Sequence, residues 1–205
     1  MPDFELEKKY GNIVVGIDEA GRGPWAGPVV AGAVVFKDRN CNPELIAMLD
    51  DSKKLSAKKR EKIYDELHNE AQKGSLLLGI GEASVEEIDN LNILQATFLA
   101  MKRAFDSLGI VPDIILVDGN QIPSCIKYSC KTVVKGDAKC SSIAAASILA
   151  KVYRDRLMQQ MAERYPHYGF EKNVGYGTAA HIEGLKKHGI TPIHRRSYKP
   201  IKEFL

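Results

Sequence analysis

Four acidic residues stand where carboxylates could act together. Asp18 and Glu19 are adjacent and follow an apolar run, Asp118 follows another apolar run, and Asp137 lies between a glycine and an alanine. Carboxylates gathered in one site repel one another unless a cation binds between them, and hard oxygen ligands suit Mg²⁺ or Mn²⁺. Two such ions about 3.5–4 Å apart can activate a water and stabilise a leaving oxygen. If the four acids converge, they predict metal-dependent phosphodiester hydrolysis.

Convergence of these acids requires a particular sheet. Apolar and β-branched runs predict five strands, at residues 12–17, 29–36, 75–83, 113–117 and 131–134. The first three can form an antiparallel meander, and the fourth, reached through helices, can pair in parallel with the first. Ligands of open α/β sheets gather at the carboxyl ends of strands, so Asp18, Glu19 and Asp118 would then meet. Because neighbouring strand residues face opposite ways, we expect the backbone to turn at Asp18 and Glu19.

Apolar residues at helical spacing predict the elements that cover this sheet. The predicted helices are 56–72, a segment that starts at 84, 92–108, about 138–163 and 178–187. Ser56 is a candidate N-cap, and Ser84 with Glu87 matches a capping box. Asp137 has a competing interpretation as the N-cap of the long helix. The sequence therefore predicts an α/β fold in which a mixed sheet is flanked by helices.

A dinucleotide site is the rival interpretation of the segment after the adjacent acids. Gly21, Gly23 and Ala26 follow a strand at the spacing G-x-G-x-x-G/A. That motif must open a helix whose N-terminus binds the pyrophosphate, whereas here two prolines intervene and a β-branched strand follows. The sequence therefore argues against a dinucleotide-binding fold.

Composition sets broader limits. A chain of 205 residues with 44% hydrophobic content suits one compact domain, and a net charge of +3 specifies no partner. Basic residues nevertheless form two clusters that could contact phosphate or simply be solvated. The first cluster is Lys53, Lys54, Lys58, Lys59, Arg60 and Lys62, and the second is His194, Arg195, Arg196 and Lys199.

Cysteine and histidine usage gives no sign of a zinc site. Cys41, Cys125, Cys130 and Cys140 form no C-x-x-C pair. The histidines show no ligand spacing, and we expect them at the surface: His167, His181, His188 and His194. No secretory signal opens the chain and no apolar run is long enough to span a membrane, which predicts a reduced, cytoplasmic protein.

The chain resembles the ribonuclease HII family in blocks that follow the family's order and span most of the sequence. These blocks are GIDEAGRGPWAGPVVAGAVV (16–35), DSKKLS (51–56), ILVDGN (115–120), VVKGDAKCSSIAAASILAKVYRD (133–155), GYGT (175–178) and TPIHRRSY (191–198). The resemblance implies an RNase H-like five-stranded mixed sheet in a core of residues 1–160. A helical C-terminal extension of residues 161–205 is expected to pack on it as one structural unit.

The same resemblance implies a substrate and a reaction. The expected activity is endonucleolytic cleavage of the RNA strand of RNA/DNA hybrids. A second expected activity is cleavage on the 5′ side of a single ribonucleotide embedded in duplex DNA, which leaves a 3′-hydroxyl and a 5′-phosphate. The expected cofactors are two Mn²⁺ or Mg²⁺ ions, and the expected state is a monomer with no membrane partner.

Site residues follow from the resemblance position by position. Asp18, Glu19, Asp118 and Asp137 match the family's catalytic, metal-binding acids. Gly21, Arg22 and Gly23 match a segment whose backbone reads 2′-hydroxyls at the RNA–DNA junction, and Tyr176 matches a tyrosine that packs on the deoxyribose beyond it. Lys53 and Lys54 lie in a block expected to touch phosphates. Arg195 and Arg196 resemble a basic stretch that is expected to bind substrate.

Some features depart from the family or separate it from its relatives. Trp25 stands where leucine is common, and it could either alter the substrate fit or simply pack. Gly21-Arg22-Gly23 and the lack of a long N-terminal extension argue against the related ribonuclease HIII, and no sliding-clamp motif is evident at the C-terminus. A non-catalytic hybrid-binding protein would lack one of the four acids. A resolvase of the same superfamily would lack the junction-reading segment and Tyr176.

Overall fold

The sheet has five strands in the order β3-β2-β1-β4-β5. The computed structural model describes all 205 residues. The strands are β1 (Val14–Ala20), β2 (Val29–Phe36), β3 (Leu76–Ala83), β4 (Ile114–Asp118) and β5 (Cys130–Val133). The helices are α1 (Glu5–Tyr10), α2 (Pro43–Met48), α3 (Ala57–Gln72), α4 (Val85–Leu91), α5 (Ile93–Asp106), α6 (Ser141–Arg164), α7 (Phe170–Asn173), α8 (Ala179–His188) and α9 (Lys199–Lys202).

The predicted pairing of the strands is confirmed. β1, β2 and β3 form an antiparallel meander, and β1 pairs in parallel with β4. β5 extends the sheet as a further parallel strand beside β4. β1 and β4 are therefore adjacent, and their carboxyl ends lie at the same edge of the sheet.

Helices cover both faces of the sheet, with α6 and α3 on one face and α5 on the other. A Cβ placed on Gly16 of β1 would come within 2.3 Å of the α6 backbone, and one on Gly32 of β2 within 2.4 Å. The small residues of the first half of α6 complement these glycines, so the helix packs directly on the strands. On the other face, Val15 and Ile17 belong to the apolar core that includes α5.

Helix boundaries agree with the capping signals where these are strong. Ser56 caps α3, and Ser84 with Glu87 forms the predicted capping box at α4. The four short helices α1, α2, α7 and α9 were not predicted, because fewer than two turns leave little periodicity to detect. No helix is long and apolar enough to cross a membrane. All four cysteines are free thiols.

The C-terminal segment packs against the loop that follows β1. α6 continues to Arg164, so the expected boundary at residues 160–161 falls inside this helix. Ala26 lies in one apolar cluster with Met158 of α6, Phe170 of α7 and Leu185 of α8. Residues 21–28 are therefore held between the long helix and the C-terminal segment.

Candidate active site

Asp18 and Glu19 lie within β1 and not beyond its end. The strand runs on to Ala20, and both acids keep their pairing with β2. The expected turn at this pair is therefore wrong. By alternation, Asp18 shares the α6 face with Gly16, whereas Glu19 shares the α5 face with Ile17. The two carboxylates leave the strand on opposite faces near the edge of the sheet.

Asp118 lies next to Asp18 and Glu19 at the end of the neighbouring parallel strand. The parallel ladder ends at Ile17 and Val117, so the next neighbours along it are Asp18 and Asp118. Adjacent strands lie about 4.8 Å apart, and partners in a parallel ladder face the same side. Oδ1 of Asp118 accepts a hydrogen bond from the backbone N–H of Gly136 at 2.7 Å. This bond ties the end of β4 to the segment that carries the fourth acid.

Asp137 lies in a short 3₁₀ turn, Gly136–Ala138, and not at the start of α6. That helix begins at Ser141 with Cys140 at its N-cap, so the interpretation of Asp137 as the N-cap is wrong. Asp137 is buried beside Asp118. A Cβ on Gly136 would meet the Ile143 side chain at 2.6 Å. The glycine thus allows the turn to come close to α6.

The four acids influence one another electrostatically. Burial, with the charges of Glu19 and Asp118, raises the pKa of Asp18 well above its usual range. Burial and the charge of Asp118 raise the pKa of Glu19, although Arg22 opposes the rise. Burial and the charges of Asp118 and Asp51 raise the pKa of Asp137. The site therefore disfavours four bare carboxylates and favours a positive partner.

Two cations partly balance this cluster. Arg22 pairs with Glu19 at 3.4 Å. Burial tends to lower the pKa of Lys53, but the charges of four surrounding acids outweigh burial and raise it: Asp18, Asp137, Asp51 and Asp118. Lys53 is exposed, so it supplies a positive neighbour from the rim of the cluster and not a base buried among the acids.

The donor set suits a hard divalent cation, but the side chains do not form a closed metal cage. No group of three or more His, Cys, Asp or Glu side chains is arranged to hold a metal ion. Carboxylate oxygens, such as those on these adjacent strand ends, are nevertheless the ligands that Mg²⁺ or Mn²⁺ prefers. Two of the carboxylates have protein partners instead, since Glu19 pairs with Arg22 and Asp118 accepts from the Gly136 amide.

A cleft of about 340 Å³ opens beside the acids. Its walls include Asp18, Glu19, residues 21–23 and Tyr176. Tyr176 is 49% exposed, and a Cβ on Gly23 would lie 3.3 Å from its ring. Four further polar residues that were not predicted also line the cleft: Ser52, Ser147, Lys151 and Arg154. Ser52 and Ser147 share a hydrogen bond of 2.9 Å between their hydroxyls, and no local sequence motif signals this pair.

Backbone amides in the cleft wall lack partners within the protein. The N–H groups of Gly21, Arg22 and Gly23 donate to no acceptor in the chain. The carbonyls of Gly21 and Arg22, in contrast, both accept hydrogen bonds from Arg195. Gly21 is half-buried and Arg22 and Gly23 are exposed, so these three N–H groups are open to solvent and free to donate to a ligand in the cleft.

Arg195 does not reach the surface. Its side chain is fully buried, so the expectation that it contacts phosphate is wrong. The backbone N–H of Arg196 donates to Asp89 while its side chain is exposed, and Lys54 is exposed beside Asp50. Arg196 and Lys54 are therefore free to meet a polyanion, whereas Arg195 has a structural role.

His181 and His194 are also buried, which corrects their expected surface position. Nδ1 of His181 lies 3.0 Å from the carbonyl of Tyr176, so this nitrogen must carry the proton. Nε2 of His181 then accepts from Nε2 of His194 at 2.9 Å, and Nδ1 of His194 accepts from the N–H of Thr191 at 2.8 Å. The chain of bonds fixes both rings as neutral tautomers and links Tyr176 to the C-terminal segment.

Trp25 packs beneath the same segment. A Cβ on Gly177 would come within 2.1 Å of the Trp25 ring, and the ring centroids of Trp25 and His181 lie 5.7 Å apart. Of the two roles left open for Trp25, the structure supports packing. The large ring supports the backbone next to Tyr176.

Comparisons with known proteins agree with this arrangement. Residues 15–201 match the family model described as Ribonuclease HII. The chain is 53% identical over 207 residues to Ribonuclease HII of Gluconobacter oxydans (strain 621H), covering 100% of this chain and 97% of that protein. The crystal structure of the ribonuclease H2 from Pyrococcus horikoshii OT3 has a TM-score of 0.75 at 29% identity, covering 93% and 96%. The crystal structure of Bst-RNase HIII in complex with Mn²⁺ has a TM-score of 0.72 at 17% identity, covering 99% and 72%, and shares the fold.

The mixed sheet, with acids at the ends of its two parallel neighbours, defines a ribonuclease H, a hydrolase of the endonuclease type. Within that class, the chain belongs to the ribonuclease HII family. Its activity is therefore endonucleolytic cleavage of an RNA strand.

Proposed function

We propose that this protein cleaves the RNA strand of RNA/DNA hybrids and also cuts on the 5′ side of single ribonucleotides embedded in duplex DNA. The observation that carries the proposal is the row of unpaired N–H groups at Gly21, Arg22 and Gly23 beside the four acids. A 2′-hydroxyl can accept a hydrogen bond from such a group, and it is the group that distinguishes RNA from DNA. The wall of the cleft thus supplies donors for a ribose within reach of the acids.

Asp18, Glu19, Asp118 and Asp137 are the residues that would hold two divalent cations. Bound Mg²⁺ or Mn²⁺ would activate water and stabilise the leaving oxygen. Hydrolysis joins a water oxygen to phosphorus and breaks the P–O3′ bond, which leaves a 3′-hydroxyl and a 5′-phosphate. The Mn²⁺ complex of Bst-RNase HIII, a protein of the same fold, is consistent with this choice of metal.

Tyr176 supplies selectivity on the other side of the cut. Its half-exposed ring lies against Gly23 in the lining of the cleft. A deoxyribose can pack on this ring, whereas a 2′-hydroxyl on the same sugar would crowd it. Lys53, Lys54 and Arg196 are placed to attract the phosphates that flank this junction.

The decisive experiment is cleavage of three duplexes of one sequence: all DNA, DNA with one ribonucleotide, and RNA/DNA hybrid. Each is incubated with Mg²⁺, with Mn²⁺ and with EDTA, and the product ends are mapped. We expect cleavage of the two ribose-containing duplexes, only with metal, with a cut 5′ of the single ribonucleotide. Metal-independent products that end in a 2′,3′-cyclic phosphate would show attack by the 2′-hydroxyl and contradict the proposal.

A further inference from the structure

Two buried arginines lie directly beneath residues 21–28. Arg154 of α6 is 1% exposed and Arg195 is 0% exposed. Their side-chain hydrogen bonds go to backbone carbonyls and to the Tyr198 hydroxyl, and none goes to a carboxylate. Burying two guanidiniums without an ion-pair partner is costly in free energy. The hydrogen bonds to the carbonyls offset part of that cost, and they also fix the orientation of these carbonyls.

The two arginines together bind most of the carbonyls of this loop. Arg154 donates to Ala26 and Pro28 at 3.0 and 2.9 Å. Arg195 donates to five acceptors, at 2.6–3.2 Å: the carbonyls of Gly21, Arg22, Gly27 and Pro28, and the Tyr198 hydroxyl. A Cβ on Gly21 would lie 2.0 Å from Nε of Arg154. This glycine is therefore needed for the buried arginine, independently of any approach by substrate.

The direction of each carbonyl determines the direction of the next amide. In a planar trans peptide, the C=O of one residue and the N–H of the next point in opposite directions. Because the carbonyls of Gly21 and Arg22 point at Arg195, the N–H groups of Arg22 and Gly23 must point away from it. The Tyr198 hydroxyl donates to the same Arg22 carbonyl at 2.5 Å and reinforces this orientation.

We propose that Arg195, assisted by Tyr198, is a positioning residue that aims the Arg22 and Gly23 amides at the ribose. This inference rests on the proposed function, since it assigns the residues that make ribose recognition possible. A planar fork with several donors can bind four carbonyls at once, which a lysine ammonium cannot reproduce. Each amide that is no longer aligned loses one hydrogen bond to the substrate.

The test compares Arg195→Lys and Tyr198→Phe with the wild type. Arg39→Lys is the matched control, because Arg39 also binds backbone carbonyls, Gly11 and Asn12, but near the opposite end of β1. The affinity for a duplex with one ribonucleotide is divided by that for the all-DNA duplex, both in EDTA. At about 1 kcal/mol per hydrogen bond, we expect this ratio to fall about thirtyfold in Arg195→Lys and about fivefold in Tyr198→Phe. Arg39→Lys should keep the wild-type ratio.

Amide NMR gives a readout that does not depend on activity. The resonances of Arg22 and Gly23 should shift in both test variants, whereas those of the sheet should not change. Tyr198→Phe removes only one hydroxyl, so it serves if Arg195→Lys does not fold. An unchanged affinity ratio together with unchanged Arg22 and Gly23 amides in a folded variant would overturn the inference. If the wild type itself fails to prefer ribose while these amides still shift, the proposed function fails and the positioning role stands.

Discussion

The buried His181–His194 pair makes the stability of this protein depend on pH in a predictable direction. Burial and the charge of His181 lower the pKa of His194 from 6.5 to about 4. In the unfolded chain His194 is therefore protonated near pH 6.5, whereas in the folded protein it is protonated only near pH 4. Stability from this residue is complete above pH 6.5 and is lost as the pH falls towards 4.

The size of the effect follows from the same pKa values. One pKa unit is equivalent to about 1.4 kcal/mol, so the full loss is about 3.4 kcal/mol, of which about 2 kcal/mol is lost by pH 5. The free energy of unfolding should be measured by urea denaturation at pH 7.5 and pH 5 for the wild type and for His194→Gln. We expect the fall between these pH values to be about 2 kcal/mol smaller in the variant.

Comparing the decrease in the free energy of unfolding in the wild type and in His194→Gln separates the protonation of His194 from that of all other groups. The buried acids have raised pKa values, but any contribution that they make is the same in both proteins. His188→Gln is the control, because His188 is exposed, and it should show the wild-type fall. Equal falls in the wild type and in His194→Gln would refute the reasoning, because they would show that His194 has the same pKa in the folded protein as in the unfolded chain.

Three further predictions concern catalysis and binding. Asp118→Asn removes a charge from the proposed metal site and should lower kcat by about 10³-fold, equivalent to about 4 kcal/mol. Its affinity for the hybrid in EDTA and its Tm should stay near those of Asp106→Asn, a control at an exposed position. Replacing Lys53 and Lys54 with Ala should flatten the slope of log affinity against log salt by about 0.9 per lost phosphate contact, and an unchanged slope would mean that neither lysine meets phosphate. Tyr176→Ala should reduce cleavage at a single ribonucleotide more than cleavage within a long hybrid, whereas equal losses on both substrates would rule out a junction role.

Much of the fold could be predicted because its signals are local. β-branched runs predicted the five strands, and the side-chain oxygens of Ser56 and Ser84 predicted where α3 and α4 begin. Asp18, Glu19 and Asp118 were selected because each follows an apolar run, whereas Asp137 was assigned to the cluster through the family resemblance. Their order in the sheet followed from the rule that a strand reached through helices can pair in parallel.

The features that were missed depend on contacts between distant segments. Arg195 and His194 lie in a basic stretch that looks like a solvated tail, and only the packing of that tail on residues 21–28 buries them. Similarly, β1 continues past its acids because β2 pairs with them, which no pattern within β1 indicates. Lys53 was assigned to phosphate from its sequence block, whereas its position among the acids depends on the tertiary fold.

A nucleic acid that approaches this cleft is repelled by the cluster of carboxylates, because both are negatively charged. The net charge of +3 is too small to overcome this repulsion at a distance. The cations are instead placed locally. Arg22 and Lys53 lie beside the acids, Lys151 lines the cleft, and Arg154 and Arg195 lie behind the loop that presents the amides. At distances below a Debye length of about 8 Å, such charges are only weakly screened. Arg22 both pairs with Glu19 and lines the cleft, so its guanidinium stands between the acids and the side from which a phosphate would approach.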